Sequence, residues 1–149
     1  KPHEWLYYAL TMGIHHISYR ATASGVDNVS TIVDAITWLC GNEELVNIDR
    51  TTSYYGSEIN LIMAKATKNK DIKRMIEMLT QNDLSKLSGD IQQRIDENNT
   101  LHFRLCLNSL TAEQIRVVGP ELKSVKCNIK IESYPGQDSV ENITKILGL

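Results

Sequence analysis

Two stretches of the chain alternate apolar and polar residues without a break. In Leu101–Leu107, Leu101, Phe103, Leu105 and Leu107 alternate with His102, Arg104 and Cys106. In Val125–Ile131, Val125, Cys127, Ile129 and Ile131 alternate with Lys126, Asn128 and Lys130. Strand side chains switch faces at every residue, so both stretches predict strands with one buried and one wet face. Gly13–Ala23 predicts a third, with Ile17, Tyr19 and Ala21 on one face and His16, Ser18 and Arg20 on the other. Glu44–Thr52 and Glu58–Thr67 predict two more, joined as a hairpin around Tyr54-Tyr55-Gly56.

Elsewhere the period lengthens. Val29, Ile32, Val33, Ile36 and Leu39 recur at helical spacing after Asp27 or Asn28, either of which can cap, and Gly41 closes the helix. Asn69 caps a second helix with Ile72, Met75, Ile76 and Leu79 inward. Asp83–Ile95 reads as a shorter helical stretch interrupted at Ser88-Gly89, and Thr111–Val118 as a short helix stopped by Gly119-Pro120. Asp138 or Ser139 caps a last helix carrying Val140, Ile143, Ile146 and Leu147. The order β-α-β-β-α-α-β-(α)-β-α lacks regular βαβ alternation. It therefore predicts an α+β fold, an antiparallel sheet covered by helices on one side only.

A chain of 149 residues fits one domain, expected over 13–149, with residues 1–12 as an N-terminal extension and Met12-Gly13 as an internal start. Trp5, Leu6, Tyr7, Tyr8 and Leu10 make that extension too apolar for a free tail, so it is expected to pack on the domain or on a second copy. The 42% hydrophobic and 23% charged content is that of a globular protein and excludes disorder for most of the chain. No apolar run has the ~18 residues of a membrane span. Cys40, Cys106 and Cys127 are odd in number and sit within apolar runs, which points to buried reduced thiols and a cytoplasmic protein.

Catalytic chemistry finds little support. There is no glycine-rich phosphate loop, so neither nucleotide hydrolysis nor a cofactor is expected. His15-His16 are adjacent on a strand and should point to opposite faces, which argues against a shared metal ion. Asp96-Glu97 and Glu43-Glu44 read as solvated charge. An enzyme is not expected.

The cations carry more. A net charge of −2 does not announce a nucleic-acid binder, yet the basic residues are clustered. Lys65, Lys68, Lys70, Lys73 and Arg74 gather around a strand end and helix start, opposed only by Asp71. The wet strand faces offer His16, Arg20, His102, Arg104, Lys126 and Lys130, a basic sheet face if those strands are neighbours. Such a face can meet phosphates and hydrogen-bond to sugars or base edges. A solvated face that serves only solubility is the plainer reading, because few aromatics stand on it for bases to stack on.

Arg94-Ile95-Asp96-Glu97-Asn98, Leu101-His102-Phe103-Arg104-Leu105 and the run Asn128–Pro135 carry a resemblance. Together with the first strand, the helix after it and the Tyr55-Gly56 turn, the chain resembles an archaeal family of RNA-binding or predicted exosome-associated proteins. The resemblance implies a curved, mostly antiparallel sheet with helices on one face, similar to the ribosomal protein that binds 5S rRNA. It implies RNA as the ligand, and the basic residues themselves offer two surfaces to hold a structured RNA, the basic sheet face or the Lys65–Arg74 patch. The other reading is an interaction protein, a homodimer or a partner of RNA-processing proteins, with no RNA contact.

Overall fold

The computed structural model describes residues 13–132 and 135–149. The extension, with Trp5 to Leu10, lies outside the described residues, as does Tyr134. The alternating stretches become strands of one six-stranded sheet: β1 (Ile14–Ser24), β2 (Val46–Thr52), β3 (Glu58–Ala66), β4 (Thr100–Cys106), β5 (Val117–Val118) and β6 (Ser124–Ile131). Their order is β2-β3-β1-β6-β4-β5, and every neighbouring pair is antiparallel. β6, last in the chain, is inserted between β1 and β4.

One face of this sheet is the core. Ile17, Tyr19, Ala21 and Ala23 of β1 share it with Ile62, Ala64 and Ala66 of β3, Leu101, Phe103 and Leu105 of β4, and Val125, Cys127, Ile129 and Ile131 of β6. Against them pack α1 (Val29–Cys40), α2 (Asn69–Thr80), α3 (Leu107–Thr111) and α4 (Ser139–Ile146). Asn28 caps α1 by accepting from the Thr31 N–H, and Asp138 caps α4 from the Val140 N–H at 2.9 Å. Asp27 does other work: its carboxylate accepts from the Ser24 N–H and hydroxyl and pairs with Lys123. Those bonds, the Lys123 contact first, hold its pKa at about 2.

Several sequence expectations are corrected. Asp83–Ile95 is no helix but two 3-10 turns, Ser85–Leu87 and Gln92–Arg94, ending in a bridge between Ile95 and Leu101. The short helix lies earlier than Thr111–Val118, at Leu107–Thr111, because Leu107 and Leu110 are the residues that reach the core. Glu113, at φ 58°, turns the chain so that Val117–Val118 return as β5 along β4. That return leaves Cys106 7% exposed, the buried thiol that its apolar run pointed to although strand alternation set it on the wet face, and its N–H donates to the Arg116 carbonyl. Lys68, not Asn69, stands at the N-cap of α2, without a side-chain cap bond.

Tyr19 is wholly buried, and its hydroxyl has no hydrogen-bond partner among the described residues. Burial pushes its pKa well above the usual phenol value. A buried hydroxyl left unpaired costs about 1–3 kcal/mol. Tyr19→Phe is therefore expected to stabilise the protein by ~1 kcal/mol, a rise in melting temperature of about 2–4 °C for this size. A fall in melting temperature would show that the hydroxyl is satisfied.

Candidate functional site

The opposite sheet face is where the cations stand. β-pairing places Arg20 of β1 opposite Lys126 of β6, and Lys126 opposite Arg104 of β4. Three cations thus form one row across three adjacent strands, with directly opposed side chains about 4.5–5.5 Å apart at Cβ. The next row is Lys65, Ser18, Asn128 and His102, on β3, β1, β6 and β4. Beyond it stand His16, Lys130 and Thr100.

Two shallow depressions flank this centre. One, of about 470 Å³, is lined by Ser18, Arg20, Met63 and Lys65. The other, of about 330 Å³, is lined by Arg94, Arg104, Val118 and Pro120. His102, Lys126 and Asn128 belong to both.

Among the described residues no carboxylate pairs with Arg20, Lys65, Arg104 or Lys126. The Arg104 guanidinium donates to Ser124 Oγ at 3.3 Å. Lys130 is held differently, its ammonium donating to the Asn98 carbonyl. The pKa of His16 is lowered, first by burial and then by the charges of Lys65, His15 and Lys130.

His102 is fixed by a residue that sequence reasoning had set aside as solvated charge. Asp96 Oδ2 lies 2.7 Å from His102 Nε2, while Asp96 Oδ1 accepts from the N–H groups of Asn98 and Thr100 at 2.8 and 3.1 Å. The His102 contact leads the causes that lower the Asp96 pKa. The loop from Asp96 to Thr100 therefore aims one histidine edge while its other ring nitrogen stays available.

The Lys65–Arg74 patch does not hold together. Lys65 belongs to the open face, whereas Lys68, Lys70, Lys73 and Arg74 lie at and within α2, on the helix layer. Lys68 and Lys70 are exposed, and Lys73 lies 4.0 Å from Glu77. Arg74 Nη2 is 2.6 Å from Asp71 Oδ1, and its Nε donates to the Cys40 carbonyl, the last residue of α1. Arg74 is a strut between helices.

The sequence reading also missed Arg94, which lines the second depression while paired to Asp90 at 2.7 Å. With Lys86 and Arg116 it borders a further depression along β5. The register shift between Ile14 and His16 corrects the histidine pair as well: the two Nδ1 atoms lie 2.9 Å apart instead of on opposite faces. No third metal-type ligand joins them among the described residues.

A family model described as RNA binding matches residues 16–131, which include every residue of this face. The chain belongs to this RNA binding family. Solved archaeal structures share the fold of this RNA binding family member. Mth689, a DUF54 protein from Methanothermobacter thermautotrophicus, is 23% identical, with TM-score 0.76 over 91% of this chain and 98% of its own. AF2318 from Archaeglobus fulgidus is 17% identical, with TM-score 0.78 over 89% of this chain and 99% of its own. The UPF0201 protein from Methanococcus jannaschii is 12% identical, with TM-score 0.61 over 89% and 92%. No curated protein matches. At such identities the likeness concerns the fold. No helix among the described residues of this RNA binding family member is long and apolar enough to cross a membrane.

Proposed function

We propose that this protein is a binding module for structured RNA and that the open face of β1, β6 and β4 is its RNA surface. The observation that carries the reading is the row Arg20, Lys126 and Arg104, set side by side by strand register and left without carboxylate partners among the described residues. Like charges directly opposite one another destabilise a sheet. A polyanion relieves that repulsion, whereas a face kept only for solubility gains nothing from concentrating it.

Around the row stand groups suited to the remaining parts of a nucleotide. Asn128 and Ser18 donate and accept, and His102, aimed by Asp96, offers a ring edge. These can meet a 2′-hydroxyl or a base edge while the cations hold phosphates. A sheet face is broad and open, so it suits the backbone of a folded RNA better than a small ligand.

A salt titration tests this. Affinity for a pool of structured RNAs is expected to fall steeply as salt rises, with a log–log slope of about −0.7 to −0.9 per phosphate contact. Three cations in a row predict a total slope of roughly −2 to −3. Absence of binding at low salt would sink the reading and turn attention to protein partners.

A further inference from the structure

The hairpin between β2 and β3 ends in two exposed tyrosines that meet each other in water. Tyr54 is 96% exposed and Tyr55 90% exposed, their rings edge to face with centroids 5.3 Å apart. The turn that displays them is well defined. The Ser53 N–H donates to the Ser57 carbonyl at 2.7 Å, the Gly56 N–H to the Ser53 carbonyl at 2.9 Å, and the Ser57 N–H to Ser53 Oγ at 3.0 Å. Gly56, at φ +83°, supplies the left-handed step that closes it. An ordered turn that holds two large rings in water is a surface waiting for a flat apolar partner.

The open face leads to it. On β3, Met63, Leu61 and Ile59 alternate with buried residues and are half-exposed beside Arg20, Thr22 and Ser24 of β1. From Met63, the neighbour of the cation row, to Ser57 the strand runs roughly 20 Å at ~3.4 Å per residue. The face thus passes from cations to an apolar stripe to an aromatic tip. That sequence of chemistries matches a nucleic-acid strand whose phosphates are held at one end and whose unpaired bases stack at the other.

We propose that Tyr54 and Tyr55 form a stacking site for unpaired nucleobases, so that the protein engages RNA where a folded stem passes into a single strand. The inference rests on the reading of the sheet face as the RNA surface. Continuity with the cation row favours RNA over a protein or a second copy as occupant: Met63 stands opposite Arg20 and two residues from Lys65 on the same face, and a single carboxylate, Asp49 of β2 opposite Leu61, adjoins the stripe.

The test compares a blunt RNA hairpin with the same hairpin carrying a tail of about four nucleotides, the lower end of single-strand site sizes. A third probe carries an abasic tail of equal length. The normal protein is expected to bind the tailed hairpin about tenfold or more tighter than the blunt one, the scale of one base stacked on an aromatic ring. The abasic tail should give little of that gain. Tyr54→Ala/Tyr55→Ala should lose the gain while keeping blunt-hairpin affinity and its salt slope, and Tyr54→Phe/Tyr55→Phe should keep the gain.

A gain that persists with the abasic tail, or in the alanine variant, overturns the stacking site. So does an alanine variant whose only change is weaker self-association in sedimentation, which would mark the tip as a contact between copies. If no probe binds in a salt-sensitive way, the sheet-face reading has failed and this one falls with it.

Discussion

Replacing Arg20, Lys126 and Arg104 together by glutamate is expected to lower RNA affinity at least about 1,000-fold at moderate salt, since each charge-assisted contact is worth roughly 1.5–3 kcal/mol. The salt slope should collapse with it. All three side chains project from the face opposite the core, so the substitutions leave the buried alternation of β1, β4 and β6 untouched. The fold should survive, as circular dichroism and the melting temperature would report.

A single replacement sharpens the test. Lys126→Glu sets a carboxylate between two arginines on neighbouring strands. Opposite charges across a sheet contribute about 0.2–1 kcal/mol, so this variant should be slightly more stable than the normal protein while binding RNA far more weakly. Gain of stability with loss of binding is what a surface retained for a polyanion predicts. Unchanged affinity in the triple variant would remove the sheet face from the RNA surface.

The second large effect concerns Gly41 and Arg74, and its expected readout is the reverse. Gly41 ends α1 at φ +74°, and a Cβ added there would lie 2.8 Å from Arg74 Nε. Gly41→Ala therefore meets two penalties, the left-handed backbone at about 1–2 kcal/mol and the displacement of Arg74. The second matters because Arg74 joins the Cys40 carbonyl to Asp71, which is only 7% exposed. A total loss of about 2–3 kcal/mol is expected, lowering the melting temperature by ~4–10 °C. Arg74→Ala should lower stability by about 1–2 kcal/mol, because it strands a largely buried carboxylate. Neither variant should change RNA affinity by more than about twofold, within the ordinary scatter of substitutions outside an interface. A large loss of RNA binding in Arg74→Ala would restore the Lys65–Arg74 patch as a surface.

The two predictions divide a set of residues that looked equivalent along the chain. Lys65, Lys68, Lys70, Lys73 and Arg74 are close in sequence, and proximity suggested a patch. A strand end followed by a helix start places them in different layers, with Lys65 on the open face and Arg74 spanning two helices. Conversely, Arg20 and Arg104 are far apart in sequence and meet only through Lys126, because β6 inserts between β1 and β4. Asp96 escaped notice for a similar reason: its role depends on a turn that brings it to His102.

What the chain determined by itself was periodicity. A residue's neighbours settle which face of a strand it occupies, so the inward set Ile17, Tyr19, Leu101, Phe103, Leu105, Val125, Cys127 and Ile129 was legible, with the α+β class and the identity of most wet-face cations. Segments without a strong period were misread: Asp83–Ile95 became two 3-10 turns, and Thr111–Val118 was divided between α3, a turn and β5. There the packing of a few apolar side chains outweighed local preference. Strand order and register were decided by the tertiary structure alone, because hydrogen bonds between strands carry no mark in either strand's sequence. Whether Arg20, Lys126 and Arg104 were three scattered charges or one row depended entirely on that pairing.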